Sequence, residues 1–176
     1  MQAEPDIVDA PGVPALEKLD GELVVKDLTF RYPGDQHDTL KNVSFTVKKG
    51  ETLGIVGRTG SGKTTLVNLM LRIFDPEKGQ VFVGGKEIHE VSLKSLRKTF
   101  GYVPQDNYLF SDTIANNIGF AVDEKRSDAI RTAAKMADVD GNIREFSQGY
   151  DTILGERGVT VSGGQKQRIS IARALL

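Results

Sequence analysis

The amino-acid sequence predicts a mixed α/β fold, with a strand-rich first part and a helical second part. Apolar residues alternate along residues 22–30 and 42–50, which is the period of half-buried strands. A short apolar run at residues 51–57 then leads through a glycine-rich loop into an apolar helix, an order of elements typical of α/β folds. From Asp106 onward helical patterns replace the strands. We therefore expect a helical subdomain at about residues 106–160, inserted between elements of the sheet.

Length and composition narrow the class of protein further. A chain of 176 residues with 39% hydrophobic and 27% charged residues suits a single globular domain. The net charge of -1 provides no broad positive field, so we expect no nucleic-acid partner. The absence of cysteine excludes disulfides and thiolate metal sites. No run of eighteen apolar residues and no signal peptide occurs, although a fused or partner membrane domain remains an alternative.

The elements follow in chain order from local patterns. Residues 1–20 contain three of the six prolines and no sustained period, which predicts a linker, or alternatively a frayed terminus, before a domain at residues 21–176. Residues 22–30 and 42–50 should pair as antiparallel strands, and residues 51–57 should form a strand buried on both faces. An apolar helix at residues 63–74 should then end at the Asp-Pro-Glu-Lys-Gly turn of residues 75–79.

Turn and cap residues place the remaining elements. Gly84 and Gly85 predict a hairpin, Ser92 predicts the N-cap of a short helix, and residues 99–105 predict a buried strand that Pro104 stops. In the helical part, one small apolar stripe suits close helix packing; it consists of Ala129, Ile130, Ala133, Ala134 and Ala137.

The glycine-rich loop carries the clearest chemical signal. Residues 57–64, GRTGSGKT, fit G-x-x-x-x-G-K-[ST] between a predicted strand and a predicted helix. Glycines let the backbone wrap a phosphate and turn N–H groups inward at the helix N-terminus, whereas the alternative is a glycine turn with a chance Lys-Thr. Lys63 would reach the β and γ phosphates and Thr64 would bind Mg²⁺. The candidate phosphate-binding residues are Gly57, Arg58, Thr59, Gly60, Ser61, Gly62, Lys63, Thr64 and Thr65.

The base of the nucleotide is indicated less directly. Tyr32 could stack on a purine, although a tyrosine at a strand end more often serves packing. The sequence contains no Asn-Lys-x-Asp guanine selector, so ATP is favoured.

A second glycine-rich entrance to a helix lies near the end of the sequence. Ser162 and Gln165 have the S-x-x-Q spacing of a capping box, and Gly163 and Gly164 leave the helix start open to close approach. A purely structural N-cap is the alternative. The helix should pack through Ile169, Ala172 and Leu176, with Ile171 and Leu175 beside them.

Together these motifs resemble the nucleotide-binding domain of ABC transporters. GRTGSGKTT matches the Walker A motif, YVPQD the glutamine loop, and VSGGQKQR the signature motif, with Val161 where leucine is commonest. The resemblance covers nearly the whole chain and implies a P-loop ABC ATPase core with an antiparallel β subdomain and a helical subdomain. LGERG at residues 154–158, with Glu156, is similar to the extra loop of exporter-type members.

The resemblance also implies roles and partners. It assigns adenine stacking to Tyr32 and contacts with Mg²⁺ and the attacking water to Gln105. Two domains would pair head to tail as a homodimer or heterodimer, and Ser162, Gly163, Gly164 and Gln165 would cover the partner's ATP. Residues 105–112 and 154–158 would meet the coupling helices of a transmembrane domain at the cytoplasmic face of the cell membrane, and residues 1–20 would connect to that domain.

The family's Walker B aspartate, catalytic glutamate and switch histidine follow the signature helix, and they are not present up to Leu176. Asp27 precedes the phosphate loop and is better explained by an edge strand, while His37 and His89 should be solvated. We therefore expect a central sheet that is incomplete, hydrolysis close to absent in this chain, and low stability.

The energy-coupling domain of an ABC exporter is the leading hypothesis. The alternatives are a regulatory or assembly module that binds ATP without turnover, a non-transport ABC ATPase, and an importer domain. The long coiled coil expected of a chromosome-maintenance ATPase is not seen, and the LGERG segment and linker argue against an importer.

Overall fold

A computed structural model describes residues 7–16, 19–122, 127–155 and 159–176. Its contacts divide the chain into two compact units, Met1–Phe100 and Gly101–Leu176. Each unit has its own cluster of buried apolar side chains.

The first unit contains a four-stranded antiparallel sheet. Its strands are β1 (Leu23–Phe30), β2 (Leu40–Val47), β3 (Val81–Val83) and β4 (Lys86–Glu87), in the order β2-β1-β3-β4. The predicted pairing of the first two strands is confirmed. The prediction of an edge strand around Asp27 is wrong, because β1 pairs with β2 on one side and with β3 on the other. Asp27 lies at an irregularity of the β1–β2 register with φ +46°.

Local turn chemistry shapes the rest of this unit. Gly84 and Gly85, with φ +57° and +74°, connect β3 to β4 in the predicted hairpin. Helix α2 (Leu93–Thr99) begins at Ser92, whose hydroxyl accepts the Ser95 N–H at 3.3 Å, as its sequence predicts. Helix α1 (Lys63–Met70) packs Leu66 and Leu69 into the core.

Helix α1 ends earlier than the expected residue 74. Arg72 has a left-handed backbone with φ +48°, which an α-helix cannot continue through. The buried Arg72 side chain pairs with Asp75 at 2.9 Å, and this contact holds the turn. The helix is therefore stopped by the conformation of Arg72, before the Asp-Pro pair is reached.

The N-terminal segment packs on the first unit. The Asp9 carboxylate accepts the Leu93 N–H at 2.8 Å, and the Leu16 N–H donates to Ser95 Oγ at 2.8 Å. Leu19 is buried in the core of the unit. These contacts fasten the described part of residues 1–20 to α2 and to the core.

Two predicted strands are not formed. Residues 51–57 and 99–105 have no strand structure, and the Val56 side chain is 96% exposed. A strand exists only where a neighbouring strand accepts and donates its backbone hydrogen bonds, and no described segment pairs with either of these. The prediction of two buried strands is therefore wrong for this structure, although both segments have the expected apolar composition.

The predicted solvation of His89 is also wrong. Its side chain is 11% exposed, with Nδ1 at 2.7 Å from Glu87 Oε1 and Nε2 at 3.0 Å from Asp75 Oδ1. The partner 14 residues away cannot be seen from the local sequence. His37, in contrast, is exposed as expected.

The second unit is helical. Its helices are α3 (Ile114–Ile118), α4 (Ser127–Met136), α5 (Asp140–Glu145) and α6 (Gly163–Leu175). The predicted small stripe faces the core through Ile130, Ala133 and Ala134 on α4, with Ala137 after it. On α6, Ile169 and Ala172 are buried as predicted.

The prediction that Leu175 belongs to the packing face of α6 is wrong. Leu175 is 46% exposed, because it lies in the last turn of the helix and outside the buried cluster that Ile169 and Ala172 join.

Elsewhere in the unit, burial and a hydrogen bond to Asp140 raise the pKa of the Tyr150 phenol above its ordinary value.

Candidate nucleotide-binding site

The glycine-rich loop enters α1 through a backbone that only glycine adopts easily. Gly60 and Gly62 have φ +81° and +85°. A Cβ on Gly62 would lie 2.8 Å from Leu40 Cδ2, and a Cβ on Gly57 would lie 2.5 Å from Ser61 Oγ. The loop therefore needs glycine at Gly60 and Gly62 for conformation and at Gly62 also for space, whereas a Cβ on Gly57 would displace only the Ser61 hydroxyl.

The N-terminus of α1 is open. Its N-cap is Gly62, so no side chain caps the first turn, and no described residue accepts the N–H of Lys63, Thr64 or Thr65. Such groups, together with the positive end of the helix dipole, are the usual binding site for a phosphate. The sequence prediction of an anion-receptive helix end agrees with this geometry.

Lys63 turns back over the loop. Its ammonium donates to the carbonyl oxygens of Gly57 and Arg58, at 2.8 Å each. The cation is thus held against the carbonyl groups of the loop. An ammonium with three donors is well suited to a phosphate oxygen at this place.

A cavity of about 270 Å³ opens on the same side. Its lining consists of Tyr32, Thr39, Gly60, Ser61, Gly62, Lys63, Thr64 and Thr65. These described lining residues include hydroxyls, a cation and glycine backbone, and no carboxylate. Their chemistry fits a phosphate group, and the Thr64 hydroxyl fits a magnesium ion beside it.

Tyr32 packs within the protein. Its ring makes edge contacts with Phe30 and Phe74, with centroids 5.0 Å away in each case. Its hydroxyl lies 2.9 Å from Thr65 Oγ1. The structure thus shows the packing role for Tyr32 at the wall of the cavity, and adenine stacking stays a prediction.

The second glycine-rich entrance is closed by its own side chains. Ser162 Oγ accepts the Gln165 N–H at 3.2 Å, and Gln165 Oε1 accepts the Ser162 N–H at 2.9 Å. The predicted capping box is therefore present. Gly163 and Gly164 are exposed, and a Cβ on either would meet nothing within 4 Å.

Gln105 and the start of α6 line a second cavity of about 460 Å³. Gly163 and Lys166 contribute from the helix, and Asp106, Asn107 and Tyr108 follow Gln105 along the chain. The structure thus places Gln105 of the predicted glutamine loop and Gly163 of the predicted signature motif at the same cavity. Glu156 and residues 157–158 of the predicted exporter loop lie outside the described residues.

Sequence reasoning missed several contacts around these sites. It gave no role to Thr39, which lines the first cavity, or to the hydroxyl of Thr65, which meets Tyr32. It also overlooked Arg173, whose guanidinium is bound by Asn117 and by the Tyr108 carbonyl. An arginine among the apolar residues of the last helix was the available signal for the last of these.

The comparisons with known proteins now bear on this geometry. A family model described as ABC transporter matches residues 40–176. The chain belongs to the ABC transporter family. An uncharacterized ABC transporter ATP-binding protein of Bacillus subtilis, YfiB, is 45% identical over 160 residues, which cover 91% of this chain and 28% of that protein.

Two further similarities concern exporters. An ATP-dependent lipid A-core flippase of Vibrio parahaemolyticus is 45% identical over 163 residues, or 92% of this chain and 28% of the flippase. The structure of a bacterial Atm1-family ABC exporter with ATP bound has a TM-score of 0.88 and 38% identity, covering 99% of this chain and 30% of that one. The chain thus spans less than a third of the length of the proteins it matches.

These similarities confirm the predicted family and the α/β ABC ATPase fold, and the chain corresponds to the nucleotide-binding domain of exporter-type members. Among the described residues, no helix is both long and apolar enough to cross a membrane.

Proposed function

We propose that this chain binds MgATP at the loop of residues 57–65 and serves as the ATP-dependent energy-coupling domain of an ABC exporter. The observation that supports it most strongly is the open N-terminus of α1 with the Lys63 ammonium beside it. Gly57, Arg58, Thr59, Gly60, Ser61 and Gly62 supply the loop backbone, and Lys63, Thr64 and Thr65 the first helical turn.

The residues of the loop divide the work by their chemistry. Backbone N–H groups bind phosphate oxygens, and Lys63 exchanges its contacts with the Gly57 and Arg58 carbonyls for contacts with phosphate. Thr64 would hold Mg²⁺, which supplies charge neutralisation on the phosphates. Gln105 keeps the role that the family resemblance implies for it, contact with Mg²⁺ and the attacking water. Tyr32 would support the adenine from the wall of the cavity.

The partner in this proposal is a second nucleotide-binding domain, of the same or a different chain. Ser162, Gly163, Gly164 and Gln165 would face the ATP held by the partner's loop. Gly163 and Gly164 support this, because they are exposed and leave the start of α6 accessible. Residues 105–112 and 154–158 would contact a transmembrane domain at the cytoplasmic face of the membrane, with residues 1–20 leading from it.

The test of ATP binding is the substitution Lys63→Ala. A hydrogen bond to a charged group contributes about 1.5–3 kcal/mol, so we expect affinity for MgATP to fall roughly 10- to 150-fold in calorimetric titration. Lys94→Ala is the matched control, because Lys94 is exposed on α2 in the same unit. Equal affinities for the two variants would remove the proposed site.

A further inference from the structure

Arg173 makes an unusually complete set of contacts for a residue in the last turn of a helix. On α6, its Nε donates to the Asn117 carbonyl at 2.7 Å and its Nη1 to the Tyr108 carbonyl at 3.1 Å. Its Nη2 donates to Asn117 Oδ1 at 3.2 Å. All three guanidinium nitrogens are thus bound to the segment of residues 108–117.

The same guanidinium lies close to two aromatic rings. Its central carbon lies 5.6 Å from the centroid of Phe110 and 5.8 Å from that of Phe120. These two rings stack with centroids 4.4 Å apart, and Tyr108 meets Phe110 edge-on at 5.2 Å. We call Tyr108, Phe110 and Phe120 the aromatic surface, because Tyr108 is 68% and Phe120 is 60% exposed.

Asn117, which accepts two of the hydrogen bonds from Arg173, is itself held firmly by its surroundings. Its side chain is fully buried. Asn117 Oδ1 accepts the Phe110 N–H at 2.8 Å, and Nδ2 donates to the carbonyls of Phe110 and Thr113 at 3.0 Å each. The amide therefore holds the loop that carries the aromatic surface, and Arg173 ties that amide to α6.

We propose that Arg173 is a positioning residue that links the signature helix α6 to the aromatic surface, so that the two move together. Ser162 is the N-cap of the helix that carries Arg173. A displacement of residues 161–165 would therefore move α6 as a rigid helix and, through Arg173, move residues 108–120. The use of this link in transport rests on the proposed function, whereas the link itself rests on the contacts of Arg173. A planar guanidinium donates to three acceptors at once beside two aromatic rings, and a lysine ammonium cannot reproduce that geometry.

The experiment uses a single fluorescent reporter, because the chain contains no tryptophan. Tyr108→Trp places an indole on the exposed aromatic surface. Arg173→Lys is compared in this background with Arg144→Lys, an exposed arginine of the same unit that pairs with Asp140 at 2.8 Å. We expect Arg173→Lys to raise acrylamide quenching of the indole about two-fold and to lower its anisotropy, while the control changes neither.

Circular dichroism separates positioning from general stability. Arg173→Lys should retain the helical signal but melt at a lower temperature than Arg144→Lys, because lysine cannot replace the hydrogen bonds to Asn117 and Tyr108. Equal quenching in the two variants would overturn the proposal. Loss of the helical signal in Arg173→Lys alone would overturn it as well, because Arg173 would then be a general stability residue.

A second arm measures ATP turnover in a complete transporter whose nucleotide-binding domain contains this sequence followed by the family's Walker B aspartate and catalytic glutamate. We expect Arg173→Lys to leave KM for ATP unchanged and to lower kcat roughly 2- to 30-fold, the effect typical of substitutions along a coupling path. An unchanged kcat would refute the coupling role. Failure of the proposed function is distinguishable, because it would appear in Lys63→Ala and would leave the indole result intact.

Discussion

The glycine-rich segments that precede α1 and α6 differ in whether side chains cap the first turn of the helix. At residues 57–65 no side chain caps α1, and the N–H groups of Lys63 and Thr64 have no acceptor among the described residues. At residues 161–165 the side chains of Ser162 and Gln165 close a reciprocal capping box on α6. Similar glycine-rich sequences thus produce one open and one self-satisfied helix end.

The difference shows what each entrance can bind. The uncapped α1 leaves backbone donors that a phosphate would satisfy, so binding adds hydrogen bonds that the protein alone does not make. The capped α6 has already used the N–H groups of Ser162 and Gln165. It offers the Gly163 and Gly164 backbone and the helix dipole, which suits a weaker, second contact to a ligand held elsewhere.

The largest expected effect comes from adding a methyl group at each entrance. Gly62→Ala places a Cβ against Leu40 and Thr39 at φ +85°, so we expect a loss of roughly 1–3 kcal/mol in free energy of unfolding. Gly164→Ala meets open space inside a helix and should gain about 0.5–1 kcal/mol. Urea unfolding followed by circular dichroism measures both. A neutral Gly62→Ala would show that the loop does not need its left-handed backbone.

The next effect concerns the capping box. Ser162→Ala removes the acceptor of the Gln165 N–H and should cost about 1 kcal/mol of stability in the same unfolding assay. Ser162→Asp is the control, because aspartate caps a helix as well as serine does and also favours the positive end of the dipole.

The same two variants separate the structural and binding roles of Ser162. A carboxylate facing a partner's triphosphate would repel it, so Ser162→Asp should keep stability and weaken MgATP-dependent association. Sedimentation velocity with and without MgATP measures that association. If Ser162→Asp associated as well as the wild type, the cap alone would explain Ser162.

The sequence predicts the features that a few neighbouring residues determine. The Gly84-Gly85 hairpin, the Ser92 cap and the Ser162–Gln165 box all form, because each depends on chemistry within four residues. The strands expected at residues 51–57 and 99–105 do not form, because a strand requires a partner that its own sequence cannot supply.

Contacts between distant residues explain the remaining differences at the candidate site. The hydroxyl of Tyr32 meets Thr65, which is 33 residues away, and Arg173 meets Asn117, which is 56 residues away. Neither pair leaves a local motif in the sequence. Residue types and spacing therefore located the phosphate loop, whereas the packing around it became visible only in three dimensions.

The smallest expected effect tests the wall of the open entrance. Tyr32→Phe keeps the ring contacts with Phe30 and Phe74 and removes only the hydrogen bond to Thr65, so we expect about 0.5–1.5 kcal/mol less stability. Affinity for MgATP should stay within about two-fold, because a phenyl ring stacks on a base as well as a phenol does. Thr65→Val breaks the same bond from the other side, and the double variant should lose less than the sum of the two single losses. Additive losses would show that the Tyr32 and Thr65 hydroxyls act independently. The hydrogen bond between them would then not stabilise the start of α1.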